Sequence, residues 1–423
     1  MTFMNRWKRA LLVLLPLLIV VAGGCSQSSG TAGVVTVDVF QFKAEISQQL
    51  DELKAEFERE HPNIRLNIQT VGGGSDYGAS LRAKFSSGDQ PDLFTLGGDH
   101  ERDMWLEYLE DLSDQPWVAD VKEVALDQMT VDGKLYGMPM NLEGYGFIYN
   151  KDLFEQAGIT EEPQTLSELR EACEKLQAAG ITPFANGYQA WFVLGNHFAN
   201  VAFAQQPDPE QFIAELTEGT ATFMGNEIFQ QWIDLLDLTL EYGNPNPLSM
   251  DYSSQVSTFA TGQAAMMQQG NWTQVQIDGI DPDLNLGILP MPIHDSDTNR
   301  GMIYAGVPGN WVVNKNSKVK EEAKTFLNWM VTSEMGKRYI TSEFKFIPAL
   351  DSIEGTEEGL GQLGVEVLKY ADAGKTLSWN WTRLPNGMPQ EMYSSIQGYI
   401  GGSLTREEML EQFQRNWDNL SFQ

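Results

Sequence analysis

Between residues 34 and 96 the apolar side chains switch back and forth between the alternation of a strand and the three-to-four spacing of a helix. Residues 34–40 (VVTVDVF) alternate apolar and polar. Leu50, Leu53 and Phe57 then recur at helical spacing, and His61-Pro62-Asn63 stops them, because proline disfavours helical geometry at the residue before it. Ile64, Leu66 and Ile68 alternate again. Leu81 and Phe85 predict a second helix, residues 88–91 break it, and residues 92–96 (DLFTL) read as a third strand. Strand, helix, strand, helix, strand in direct succession predicts a parallel sheet covered by helices, and so an α/β fold.

The same punctuation continues downstream. Thr165 and Glu168 form a capping box, after which Leu169, Ala172, Cys173 and Leu176 line one helical face up to Gly180. Cys173 is therefore expected to be a buried small hydrophobe. Ala323, Phe326, Leu327 and Met330 mark another amphipathic helix. Thr405 and Glu408 cap a last one, which carries Met409, Phe413 and Trp417. Trp105, Trp232, Trp329 and Trp417 sit among Leu and Met on helical faces and are expected in cores. A length of 423 residues suits two domains.

The N-terminus has a different character. Arg6, Lys8 and Arg9 precede an apolar run over residues 10–22 (ALLVLLPLLIVVA). The run is shorter than the ~20 residues a spanning helix needs, and it ends in small residues, as a signal peptide does. Ala22-Gly23-Gly24-Cys25 resembles a bacterial lipobox, with Ala22 where Leu is usual. The resemblance implies cleavage before Cys25 and acylation of its thiol, by palmitate for example. Residues 25–33, including SQSSGTAG after the cysteine, then form a flexible polar tether to the cell membrane.

Charge and chemistry narrow the function. The net charge is −30, which argues against a nucleic-acid partner, whose phosphates need a basic face. There are 2 cysteines; with Cys25 acylated no disulfide is expected, and thiolate metal sites are excluded. His61, His100, His197 and His294 are scattered, so no metal site is expected, and HExxH, P-loop and GxSxG patterns do not occur. Gly72-Gly73-Gly74 lacks the Lys and Ser/Thr of a phosphate loop and reads as a turn. No cofactor is called for.

What the chain does have is aromatic residues set among polar ones. Trp272 follows Gly270-Asn271, Trp379-Asn380-Trp381 precedes a Pro/Gly-rich loop, and Trp191 follows Tyr188-Gln189. Sugars have apolar C–H faces rimmed by hydroxyls. A site for them wants flat aromatic platforms with carboxylates or amides as hydrogen-bond partners.

Four segments in fixed order carry a resemblance to a known family. They are residues 91–99 (PDLFTLGGD), 136–153 (YGMPMNLEGYGFIYNKDL), 262–272 (GQAAMMQQGNW) and 305–330, with Gly309-Asn310-Trp311-Val312-Val313-Asn314 before the amphipathic helix. The chain resembles the extracellular solute-binding proteins, family 1, of carbohydrate ABC importers, the group that contains maltose-binding protein. The resemblance implies a two-lobed α/β fold of the periplasmic-binding-protein type, with a hinge of crossing strands near residues 141–144, 287–292 and after Met330. Lobe 1 would comprise residues 34–142 plus 286–330, and lobe 2 residues 143–285 plus 331–423.

It also implies a ligand site. Asp99 ends the third strand, where the family places a carboxylate on sugar hydroxyls, and Lys43 and Glu45 lie in the loop after the first strand. Such loops, at the carboxyl ends of parallel strands, are where open α/β sheets bind ligands. Glu143, seven residues before Asn150, matches a family acid at the first crossover. Trp272 matches the stacking tryptophan, and Trp379 and Trp381 fall in the region that supplies another platform. Trp191 lies in a region of variable length. His100 is either a ligand contact or a solvated loop residue. Leu96, Gly97 and Gly98 stand where the family often has a tryptophan, which leaves the identity of the sugar open.

The implied function is capture of a sugar between the lobes, an oligosaccharide given the number of platforms, and delivery to membrane permease subunits. The chain would act as a lipid-anchored monomer outside the cell, without enzymatic chemistry. Two rivals stay open. One is the same fold holding a polyamine or another small solute. The other is a secreted glycosidase using Asp99 and Glu143 as its paired acids.

Overall fold

The computed structural model describes residues 33–421. The apolar run at residues 10–22, Cys25 and most of the proposed tether lie outside the described residues. Twelve strands occur among the described residues, in chain order: β1 (Val35–Gln41), β2 (Ile64–Thr70), β3 (Leu93–Leu96), β4 (Thr130–Val131), β5 (Lys134–Leu135), β6 (Met138–Pro139), β7 (Glu143–Asn150), β8 (Met266–Gly270), β9 (Leu286–Leu289), β10 (Ile303–Gly306), β11 (Asn310–Val313) and β12 (Thr376–Ser378). They form two five-stranded sheets and the small β4–β5 ladder.

The first sheet has the order β2-β1-β3-β11-β6. β1 runs parallel to both β2 and β3, as the sequence predicts, and β11 enters antiparallel to β3. The helices Ser47–Glu60 and Tyr77–Ser87 connect the parallel strands. The first buries Leu50, Leu53 and Phe57. The second starts where Asp76 accepts the Ala79 N–H at 2.8 Å and stops at Gly88, whose φ of 84° is left-handed. Gly72 makes the turn after β2 possible, because a Cβ there would lie 1.9 Å from the Phe42 carbonyl oxygen.

The second sheet has the order β12-β10-β7-β8, with β9 also on β7. All eight β7 residues are buried, as expected for a central strand with neighbours on both edges. Asn150 ends β7 and caps the helix Lys151–Gln156, accepting the Asp152 and Leu153 N–H groups at 3.0 and 3.1 Å. The Tyr-Asn-Lys-Asp-Leu run is therefore a strand-to-helix junction. The predicted box of Thr165 and Glu168 forms reciprocally at the helix Leu166–Ala178, and Cys173 is fully buried on that helix. Trp105, Trp232, Trp329 and Trp417 are all buried.

The hydrophobic cores correct the expected lobe boundaries. β9 and β10 pair with β7, so residues 286–306 belong to the second sheet rather than the first. The Pro290–Pro292 bend turns back within that lobe, and Met291 and Ile293 are buried in its core. The chain returns to the first lobe between β10 and β11, at residues 307–309. It also stays there past Met330: Tyr339, Phe344, Leu350 and Ile353 pack in the first core. The next crossing precedes the helix Glu357–Asp372, whose Leu363 and Val367 lie in the second core. Leu142, just before β7, forms an antiparallel bridge with Ile347, whose side chain packs in the second core. Among the described residues no helix is long and apolar enough to cross a membrane.

Candidate functional site

The carboxyl end of β1 carries a buried charge cluster. Gln41 fixes the turn there: its Oε1 accepts the Lys43 N–H at 2.5 Å and its Nε2 donates to Thr70 Oγ1 at 2.5 Å. Lys43 Nζ then pairs with Glu143, at the start of β7, and with Glu45 Oε1 at 3.2 Å. Lys43 and Glu143 are each 3% exposed. Asn141 Nδ2 donates to the same Glu143 oxygen at 3.1 Å. Burial opposes the Lys43 ammonium, but the Glu143 and Glu45 carboxylates outweigh it and hold its pKa above the ordinary lysine value. Two carboxylates surround one ammonium, so burial and the Glu45 charge prevail over Lys43 at Glu143 and push its carboxyl upward.

Beside this cluster, two residues further along β7, begins a group of rings in the second lobe. Tyr145 of β7 stacks on His197 at 4.8 Å between centroids and lies 5.9 Å from Trp381. His197 is 5.1 Å from Trp272 and 5.6 Å from Trp381. Trp379 and Trp381 stack at 4.4 Å with planes 29° apart. Two glycines make room for the rings. A Cβ on Gly270 would lie 2.1 Å from Trp272 Cζ3, and one on Gly306 2.8 Å from Trp379 Cδ2. Burial drives the His197 imidazole down to about 3, and the positive Lys43 adds to this, so the ring is neutral at physiological pH. Its Nδ1 faces Gln268 Oε1 at 3.2 Å.

Asp99 and His100 meet the turn Trp381–Arg383, at a rim where the lobes touch. Asp99 opens the helix Asp99–Trp105 and lies 3.7 Å from Arg102 and 3.8 Å from Arg383 of the second lobe. Burial nevertheless raises its carboxyl above the ordinary value. His100 Nε2 lies 3.0 Å from the Arg383 carbonyl, and Arg383 pairs with Glu210. Gly98, at φ 146°, packs on Thr382 so closely that a Cβ would come within 2.6 Å. Trp191 is one ring removed from the group of rings: its neighbour is Phe192, which in turn meets His197 at 5.4 Å.

The structure thus brings Lys43, Glu45 and Glu143 together, groups Trp272, Trp379 and Trp381, sets Asp99 and His100 against the turn that carries Trp381, and keeps Trp191 one ring away. Sequence reasoning missed Tyr145, His197, Gln268 and Asn141 as members of this region. Tyr145 had a signal, lying two residues beyond Glu143 on one strand face. His197 had none, because it is placed by a π-helical turn at Val193–Phe198, and such turns carry no periodicity mark. Several buried polar atoms here find no partner among the described residues: Asn141 Oδ1, Gln268 Nε2, Asn271 Nδ2 and Trp379 Nε1. Buried groups of this kind are normally paired, so they suit a surface that receives a hydrogen-bonding ligand. No cluster of three or more metal-ligating side chains occurs among the described residues.

Comparison with known proteins agrees in architecture. The Multiple sugar-binding protein of Streptococcus mutans is 24% identical over 344 residues, covering 78% of this chain and 80% of that one. The Melibiose/raffinose/stachyose-binding protein of Bacillus subtilis is 25% identical over 353 residues, covering 78% and 79%. The solved structure of the solute-binding protein RafE with raffinose superposes with a TM-score of 0.79 at 21% identity, over 92% of this chain and all of that one. The model of the bacterial extracellular solute-binding proteins matches residues 43–337. The chain belongs to that family, the bacterial extracellular solute-binding proteins.

Proposed function

We propose that this protein captures a neutral oligosaccharide between its lobes and hands it to the permease subunits of an ABC importer. The observation that carries the proposal is the group of rings, Trp272, His197, Trp381 and Trp379, beside the buried Lys43–Glu143 pair. Aromatic faces suit the C–H faces of pyranose rings, and amides that both donate and accept suit their hydroxyls. Relatives named for sugars and a raffinose-bound structural neighbour support the same ligand class. In this reading ligand first meets one lobe, hinge closure brings the other onto it, and the closed form dominates because it binds more tightly. Cys25 would carry the acyl anchor, and the body would work as a monomer.

Hydrolysis is the weaker reading. Glu143, one of the two acids it needs, is engaged by Lys43 and Asn141, and Asp99, the other, lies between Arg102 and Arg383. A carboxylate pair for glycoside cleavage has to flank the scissile bond instead.

Calorimetric titration with raffinose, stachyose, spermidine and glycerol phosphate tests the proposal. One sugar bound per cleft, lost in Trp272→Ala, is the expected result. Spermidine as the sole ligand would replace the sugar by a cation. Product formation from the oligosaccharides would replace the receptor by an enzyme.

A further inference from the structure

We propose that the flank of the second lobe carries a second binding site, for a neutral polyhydroxylated chain such as an oligosaccharide. A groove of about 480 Å³ lies there, within the range of about 300–1,000 Å³ that small-molecule sites occupy. Its walls are residues 182–184, the loop over residues 243–250 and the helix Tyr252–Ala260. Charged residues make up 20% of the chain, yet none of the groove's lining residues is charged.

The lining has the chemistry of polyol recognition. Asn244, Asn246 and Gln263 contribute amides, and Ser249, Ser254 and Thr258 contribute hydroxyls. Each of these groups both donates and accepts, as a sugar hydroxyl does. Pro245 and Met250 supply apolar surface for C–H faces. An ionic ligand would find no counter-charge in this lining, and a wholly apolar one would cover amides and hydroxyls without satisfying them.

The groove is also set in advance of binding. The Asn186 N–H donates to Asn244 Oδ1 at 2.6 Å and fixes that amide. Asn246 lies between Pro245 and Pro247 with φ at 57°, a left-handed conformation that few residues other than glycine hold. Ser249 Oγ donates back to the Asn246 carbonyl at 2.8 Å. Side chains held this way lose little freedom when a ligand arrives.

The groove shares no lining residue with the cleft. The groove helix exposes Ser254 on one side, while its Gln255 is buried and accepts from Gln269, which in turn accepts from Trp272. Removing the Trp272 ring disables the cleft and leaves the groove lining in place.

Hydrogen–deuterium exchange read by mass spectrometry, with millimolar stachyose and separately with a chito-oligosaccharide, tests the inference. In both the wild-type protein and Trp272→Ala, peptides over residues 243–250 should exchange at least about twofold more slowly with one of these sugars. Thr258→Arg, which fills the groove, should abolish the effect, and Thr258→Ser should retain it. Exchange unchanged by both sugars, or protection that persists in Thr258→Arg, overturns the site. So does protection that disappears in Trp272→Ala, since it would then be transmitted from the cleft. Groove protection in a protein whose cleft takes no sugar would refute the proposed function and leave this inference standing.

Discussion

Lys43 and Glu143, one hundred residues apart in sequence, form a buried ion pair between the first lobe and the strand that opens the second. Neither side chain reaches solvent to any useful extent. Removing one partner of a buried pair strands the other charge, which costs about 3–5 kcal/mol, whereas replacing both is often nearly neutral. Lys43→Met should therefore lower the denaturant midpoint strongly, and Lys43→Met combined with Glu143→Gln should recover most of the loss. Equal destabilisation in the single and double variants would show that the charges are not coupled.

His197 predicts how stability responds to pH. Its folded pKa is about 3, against an unfolded value of about 6.5. Between these values the unfolded chain binds a proton that the folded chain refuses, so folding is opposed as pH falls. The contribution is complete above about 6.5 and declines progressively below it. At pH 5 the difference of about 1.5 units corresponds to about 2 kcal/mol of lost stability. His197→Gln should flatten this part of the stability profile between pH 7 and pH 4, measured by urea unfolding. An unchanged slope would mean that other groups govern it.

Gly270 tests whether the position of the indole matters for binding. An alanine Cβ would lie 2.1 Å from Trp272 Cζ3 and 2.5 Å from the Gly144 carbonyl oxygen. Both cannot stay where they are. Overpacking of this kind costs about 1–3 kcal/mol. Gly270→Ala should keep the far-ultraviolet circular dichroism of the parent while sugar affinity falls at least about tenfold, equivalent to about 1.4 kcal/mol of binding free energy. Parental affinity would show that Trp272 does not contact the ligand.

Local patterns in the sequence were legible wherever one element decides its own form. The β1–β3 segment followed from periodicity, the Thr165 box from two side chains, and the four core tryptophans from their helical neighbours. Lobe membership was not legible, because it is decided by partners far away in sequence. Residues 286–292 read as a strand and a bend in either lobe, and it is their pairing with β7, Leu289 against Phe147 among others, that assigns them. The same holds for Tyr339, Phe344 and Ile353, whose first-lobe burial depends on packing rather than on any local mark. Within the site, Lys43 and Glu143 were named by the family resemblance, and Trp272 by that resemblance together with its place among polar residues. His197 depends on one extra residue in a helical turn, which side-chain spacing does not record.

The rim pairs predict a kinetic effect of limited size. Arg383 reaches Asp99 at 3.8 Å and Glu210 as well, linking the helix Asp99–Trp105 to the second lobe. Side chains on both sides are partly exposed, 39% for Arg383 and 32% for Asp99. Exposed pairs are worth about 0.2–1 kcal/mol and are screened by salt. Arg383→Ala should therefore speed ligand release by at most about fivefold at low ionic strength, with the difference from the parent shrinking as salt is added. Stopped-flow displacement measures this directly. Release faster by orders of magnitude would mean that Arg383 touches the ligand itself. An effect that persists in high salt would point to the Gly98–Thr382 packing, rather than charge, as what holds the rim closed.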